Sequence, residues 1–92
     1  MKVVLTEEAE RDVAEAVSYL LERNPWAAAA LIDKVFDLAQ RLGDGMFDGP
    51  WEQLSDGRSV QSWPLSPYRL FYQRSEQALI VLRFYHPRQK PL

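Results

Sequence analysis

An α+β fold, with elements in the order β-α-α-β-β-β, follows from three features of this 92-residue chain. Apolar residues recur at three- and four-residue spacing up to Leu42, with one break at Asn24-Pro25. From Gly57 onward the period becomes the alternation of strands, and residues 43 to 56, holding three of the four glycines, separate the two regimes. The pattern predicts a helical hairpin laid on one face of a small antiparallel sheet, the other face left open. One domain spanning 1–92 is expected, because a chain of this length buries roughly 60 to 65% of its unfolded surface and supports one core.

Each element has its own local cause. Lys2 to Leu5 is a short β-prone run. Thr6 is a good N-cap, and Glu7, Glu8 and Glu10 place negative charge where the helix dipole favours it. Ala9, Val13, Ala16, Val17, Leu20 and Leu21 form the apolar stripe of the first helix, with Glu8, Arg11, Asp12, Glu15 and Glu22 outside it. Asn24-Pro25 stops that helix by Arg23 and starts the second, since Asn caps and Pro fits the first helical position. The second helix is predicted from Pro25 to about Leu42, with Ala28, Leu31, Ile32, Val35, Leu38, Ala39 and Leu42 inward and Gly43 as its stop. Met46, Phe47 and Trp51 are too apolar for a free linker, so the following loop packs back over the core. Strands are predicted at 58–63, 68–74 and 78–85, with Ser75-Glu76-Gln77 as the hairpin turn and Pro64 and Pro67 at an edge.

Composition narrows the chemistry. The chain has no cysteine and one histidine, so a disulfide framework, a thiolate site or a protein zinc site is not expected, and no cofactor is implied. No signal-type segment or membrane-length apolar run is present, and a cytoplasmic location away from membranes is the expectation. Net charge is −2, yet residues 1–53 carry eleven acids against five bases (−6) and residues 54–92 carry two acids against six bases (+4). Such asymmetry suits one surface that meets an anionic partner and another that meets a basic one; an acidic helix beside an Arg-rich sheet, both merely solvated, fits the same counts.

Alternation places Tyr68, Leu70 and Tyr72 toward the helices and Arg69 on the open face. With a three-residue turn Arg69 lies opposite Arg83, and two opposed guanidiniums call for an anion between them, such as a phosphate. Pairing of either arginine with Glu52 or Asp56 is the structural alternative. His86 is the one side chain that titrates near neutrality by default, hence a candidate proton donor for phosphodiester cleavage. On this register it lies three or four residues past the position opposite Arg69, roughly 10 to 14 Å away. Arg88 is placed to act with His86, and Glu52 is the nearest candidate base. Trp51 and Trp63 offer surfaces for base stacking as well as for packing.

Several stretches together resemble the RelE/ParE toxins of bacterial type II toxin–antitoxin systems. They are Val3-Val4-Leu5-Thr6-Glu7-Glu8-Ala9-Glu10-Arg11-Asp12, Asn24-Pro25-Trp26-Ala27-Ala28, Pro67-Tyr68-Arg69-Leu70-Phe71-Tyr72 and Val81-Leu82-Arg83-Phe84-Tyr85-His86-Pro87-Arg88-Gln89. The resemblance implies a growth-inhibiting toxin, a cognate antitoxin as partner and a link to plasmid stabilisation. ParE-like members inhibit DNA gyrase; RelE-type members cut messenger RNA on the ribosome. Arg69 occupies the place of the RelE-type strand arginine and Arg88 falls near its C-terminal one, but Val60-Gln61-Ser62-Trp63 stands where RelE lysines are expected. Glu52, Arg69 and His86 match the order of a YoeB-like nuclease. The acidic balance, with a pI near 5.3, disfavours approach to ribosomal RNA, so a ParE-like inhibitor is the first expectation. Arg69, Arg83 and Arg88 are then its target-binding candidates; a YoeB-like nuclease and a non-toxic binding relative are the alternatives, and assembly as a homodimer is left open.

Overall fold

Thr6 closes one element and opens the next in the computed structural model, which describes residues 1–86. Strand β1 (Lys2–Leu5) ends there and helix α1 (Glu7–Leu21) begins, with the Thr6 hydroxyl accepting the Ala9 N–H at 3.1 Å. Asn24 does the same for helix α2 (Pro25–Gly43), its side-chain oxygen accepting the Ala27 N–H at 3.2 Å. Gly43 is the last helical residue rather than the stop; Gly45, at φ +75°, takes the left-handed conformation that turns the chain away.

Four further strands follow: β2 (Trp51–Gln53), β3 (Ser59–Leu65), β4 (Tyr68–Arg74) and β5 (Ala78–Tyr85). The sheet runs β1-β5-β4-β3-β2, with β1 parallel to β5 and the remaining pairs antiparallel. The α+β architecture is the expected one. Two details differ: the N-terminal strand makes the sheet mixed, and part of the expected loop pairs as β2.

The principal core joins α1 and α2 to one sheet face, through Ala9, Ala16, Leu31, Val35, Leu38, Ala39 and Leu42 against Leu70, Tyr72, Leu79, Val81 and Phe84. Each fully buried Leu, Val or Phe stabilises the fold by about 1.5 to 3 kcal/mol. Ile32 and Leu21, expected inward, are 40% and 54% exposed, because the stripes in contact with the sheet are narrower than their apolar spacing suggested. Asp12, expected outside the stripe, is buried. On the second face Leu54, Val60, Phe71, Leu82 and Tyr85 form a smaller apolar cluster, with Phe71 and Tyr85 stacked at 5.2 Å.

The 44–50 segment packs back as expected. Phe47 sits against Trp63 at 4.4 Å, while the Tyr72 hydroxyl accepts the Gly49 N–H at 2.8 Å and donates to Asp48 at 3.2 Å. Arg74 pairs with Asp48 at 2.8 Å and donates to the Leu42 carbonyl. Gly49 is obligatory here, since a Cβ would lie 1.6 Å from the Ser62 carbonyl oxygen. Met46 and Trp51, by contrast, stay on the surface.

Register separates this structure from the sequence expectation. The turn between β4 and β5 is tighter than three residues: the Ser75 N–H donates to the Ala78 carbonyl at 2.8 Å, and Arg74 pairs with Leu79. The ladder then slips, Tyr72 pairing with Val81 but Phe71 with Arg83, so Leu82 is an extra residue on β5. Arg69 consequently faces Tyr85, not Arg83.

Candidate functional site

Arg69 lies on the second face of the sheet, as alternation predicts. Its Nε donates to the Ser62 hydroxyl at 2.8 Å and stands 3.6 Å from Glu52 Oε1. Ser62 is fully buried, and β2 exists to bring Glu52 opposite Val60, onto the same face. The expected alternative of an internal carboxylate partner is therefore realised with Glu52, whereas Asp56 serves Arg58 at 2.7 Å. With 26% of its side chain exposed, Arg69 retains guanidinium N–H groups for an incoming acceptor.

Arg83 has a different environment. Where β1 ends, β5 would present bare backbone groups; Thr6 and Asp12 cover them. Thr6 donates its N–H to Val81 O at 3.0 Å and its hydroxyl to Leu82 O at 2.9 Å, and Asp12 accepts the Phe84 N–H at 3.0 Å. Arg83 then reaches α1, giving Nε–H to Asp12 Oδ2 at 2.7 Å and Nη2–H to Oδ1 at 3.1 Å, with Glu8 at 3.4 Å. The Asp12 hydrogen bonds hold the guanidinium above its ordinary pKa, against the opposing effect of burial. The pairing of Arg69 with Arg83 into one anion site is thus corrected, because the tighter turn and the bulge at Leu82 together change the register and α1 claims Arg83.

His86 stands one residue past the position opposite Arg69, not three or four, but on the helical side. Its ring meets Tyr68 edge-on at 6.5 Å, in a cleft of about 460 Å³ lined by Asp12, Glu15, Tyr19, Tyr68, Phe84 and Tyr85. Of the expected nuclease trio, the structure brings Glu52 and Arg69 together and puts His86 across the sheet from them. Arg88 lies outside the described residues. Trp63 is consumed by packing with Phe47, whereas Trp51 and Trp26, 67% and 86% exposed, remain at the surface. Among the described residues, no group of three or more potential ligands could hold a metal ion.

Two residues escaped the sequence reading. Asp12 falls three after Ala9 and four before Ala16, on the spacing of the apolar stripe itself, and an acid there signals a buried partner. Ser62 alternates with Val60 on β3, which marks it as a polar side chain on an otherwise apolar face.

The family model for the ParE toxin of type II toxin–antitoxin systems, parDE, matches residues 3–91. Among solved structures, the chromosomal ParDE system from P. aeruginosa is similar at TM-score 0.71 and 15% identity, over 94% of this chain and 95% of that one. The RelBE2 toxin–antitoxin complex from Mycobacterium tuberculosis is similar at TM-score 0.58 and 23% identity, over 92% and 95%. No curated protein sequence matches. With the hairpin, the sheet order and the near-complete span of the family match in agreement, the chain belongs to the ParE toxin family of type II toxin–antitoxin systems.

Proposed function

We propose that this chain, acting as one domain, is the toxin of a ParDE-type pair that arrests growth in the cytoplasm by binding DNA gyrase and is neutralised by a cognate antitoxin. The reading rests on the division of the candidate residues by the sheet: Glu52 and Arg69 are paired at 3.6 Å on one face, and His86 lines a cleft on the other. General acid–base cleavage of a phosphodiester needs both proton carriers within hydrogen-bond reach of one substrate. An inhibitor that works by binding has no such requirement. Arg69, with Arg88 from the sequence, is the proposed target contact, and Arg83 serves the fold. No described helix is long and apolar enough to cross a membrane, in keeping with a cytoplasmic target.

The deciding experiment compares two assays on purified chain free of antitoxin. Inhibition of gyrase supercoiling, with message on translating ribosomes left intact, is the expected result. Codon-positioned cleavage that disappears in Glu52→Ala and His86→Ala would establish a ribosome-dependent endonuclease instead. Overexpression without growth arrest would make the chain a non-toxic binding relative.

A further inference from the structure

Glu52 and Arg69 form an ion pair that is only half made. Arg69 commits its Nε–H to the Ser62 hydroxyl at 2.8 Å, and Ser62 is fully buried, so the guanidinium is held in one orientation by a group that carries no charge. Glu52 Oε1 stands 3.6 Å from that same nitrogen, beyond hydrogen-bond distance. A guanidinium has five N–H donors; with one given to Ser62, the others remain on the two terminal nitrogens, and none of the described residues accepts them. That terminal pair is the edge on which arginine grips a carboxylate through two parallel bonds. Arg58, Arg74 and Arg83 each have an acid of their own within 2.8 Å, and Arg69 does not. Pro64 and Tyr85 flank Arg69 on the neighbouring strands, and Val60, Phe71 and Tyr85 give this face apolar surroundings, in which a charged hydrogen bond gains strength. Glu52 can leave at little cost, because its side chain is 38% exposed and sits on β2, an edge strand of three residues. Recognition of a nucleic-acid backbone takes several cations at once. With Arg58, Arg74 and Arg83 committed, Arg69 offers a single one, and one carboxylate is its fitting complement.

We infer that Glu52 is a displaceable internal ligand: Arg69 receives the carboxylate of an acidic side chain on the protein it targets, and Glu52 competes for the same guanidinium and so sets the affinity. The inference rests on the proposed role of Arg69 as target contact for the identity of the partner, and on the Ser62, Arg69 and Glu52 geometry alone for its chemistry. Glu52 thereby opposes binding, the reverse of the part that a catalytic base would play.

Acetate, titrated into the full chain at constant ionic strength and read by NMR at the Arg69 Nε–H, tests the receptor without any toxicity assay. Saturable shifts are expected there. Glu52→Gln should tighten acetate binding about three- to five-fold by removing the competitor. Arg69→Gln should abolish binding at this site, whereas Glu76→Gln in the distant β4–β5 turn should leave it unchanged. The proposed gyrase inhibition should follow the same order, stronger in Glu52→Gln and with no such gain once Arg69 is also replaced. Absence of saturable shifts, or acetate binding that is unchanged or weaker in Glu52→Gln, would overturn the inference. So would tighter binding of dimethyl phosphate, the monoanion of a nucleic-acid backbone, than of acetate. Acetate binding that follows the expected order while gyrase is untouched would break the proposed target and uphold the carboxylate receptor.

Discussion

Arg69 and Arg83 stand on neighbouring strands of one sheet and do opposite things. Arg83 gives two hydrogen bonds to a carboxylate whose side chain is 5% exposed, and that carboxylate also takes a backbone N–H of β5. Arg69 gives one hydrogen bond to a neutral hydroxyl and faces a carboxylate at 3.6 Å that is 38% exposed. A charge pair removed from water becomes part of the architecture, since loss of either member strands the other. A pair left partly in water is worth about 0 to 1 kcal/mol and can be exchanged for a partner's group. The environment of each carboxylate, rather than the residue type, decides which arginine is available.

The largest effect expected from this contrast comes from Asp12→Ala. It removes both Arg83 hydrogen bonds and the acceptor of Phe84 N–H, and should cost about 3 to 5 kcal/mol in urea unfolding. A loss below about 1 kcal/mol would place the Arg83 site in the same class as Arg69. Gly49→Ala probes the support behind the second face. Its Cβ would overlap the Ser62 carbonyl, so β3 or the 44–50 segment must move, at a cost of about 2 kcal/mol or more by thermal or chemical unfolding.

Alkaline pH tests the tyrosines of both sheet faces, Tyr68 and Tyr72 toward the helices and Tyr85 on the second face. Burial raises the phenol pKa values of Tyr68, Tyr72 and Tyr85 above the ordinary value of 10.0. A group whose pKa is raised on folding contributes its stability fully below the unfolded pKa and loses it as pH climbs through the folded one. Stability should therefore be level below about pH 9 and fall above about pH 10. Denaturant midpoints across that range, with tyrosinate absorbance read in parallel, check the sign.

Arg69→Ala gives the smallest structural effect and the sharpest functional one. Unfolding should shift by no more than about 1 kcal/mol, whereas the proposed gyrase inhibition should drop about ten-fold or more. Collapse of the fold would mean that Ser62 and Glu52 hold this arginine as firmly as Asp12 holds Arg83.

What the sequence made legible was whatever depends on near neighbours. Thr6, Asn24 and Pro25 announce the helix starts because caps act within three residues, and the strands 68–74 and 78–85 follow from local alternation. The register between those strands was not legible, because the extra residue at Leu82 arises where β5 passes from pairing with β1 to being covered by Thr6 and Asp12, more than seventy residues away in the chain. That slip and the tighter turn together set Arg69 opposite Tyr85 instead of Arg83, and left Arg83 to α1. The side of the sheet reached by Arg69 was readable from period two alone; its company, Ser62 and Glu52, required β2, a strand of three residues with little signal of its own.

The position of β5 has a temporal consequence. The latest in sequence of the described strands lies second in the sheet, between the first strand and the rest, and it supplies the acceptors for Thr6 and the N–H for Asp12. Until residues 78–85 emerge, β1 has no neighbour to pair with and the helical hairpin lacks part of the wall it packs against. Nascent or prematurely terminated chains that lack residues 78–85 are thus held short of the finished sheet, so truncation before β5 and failure to close the fold coincide.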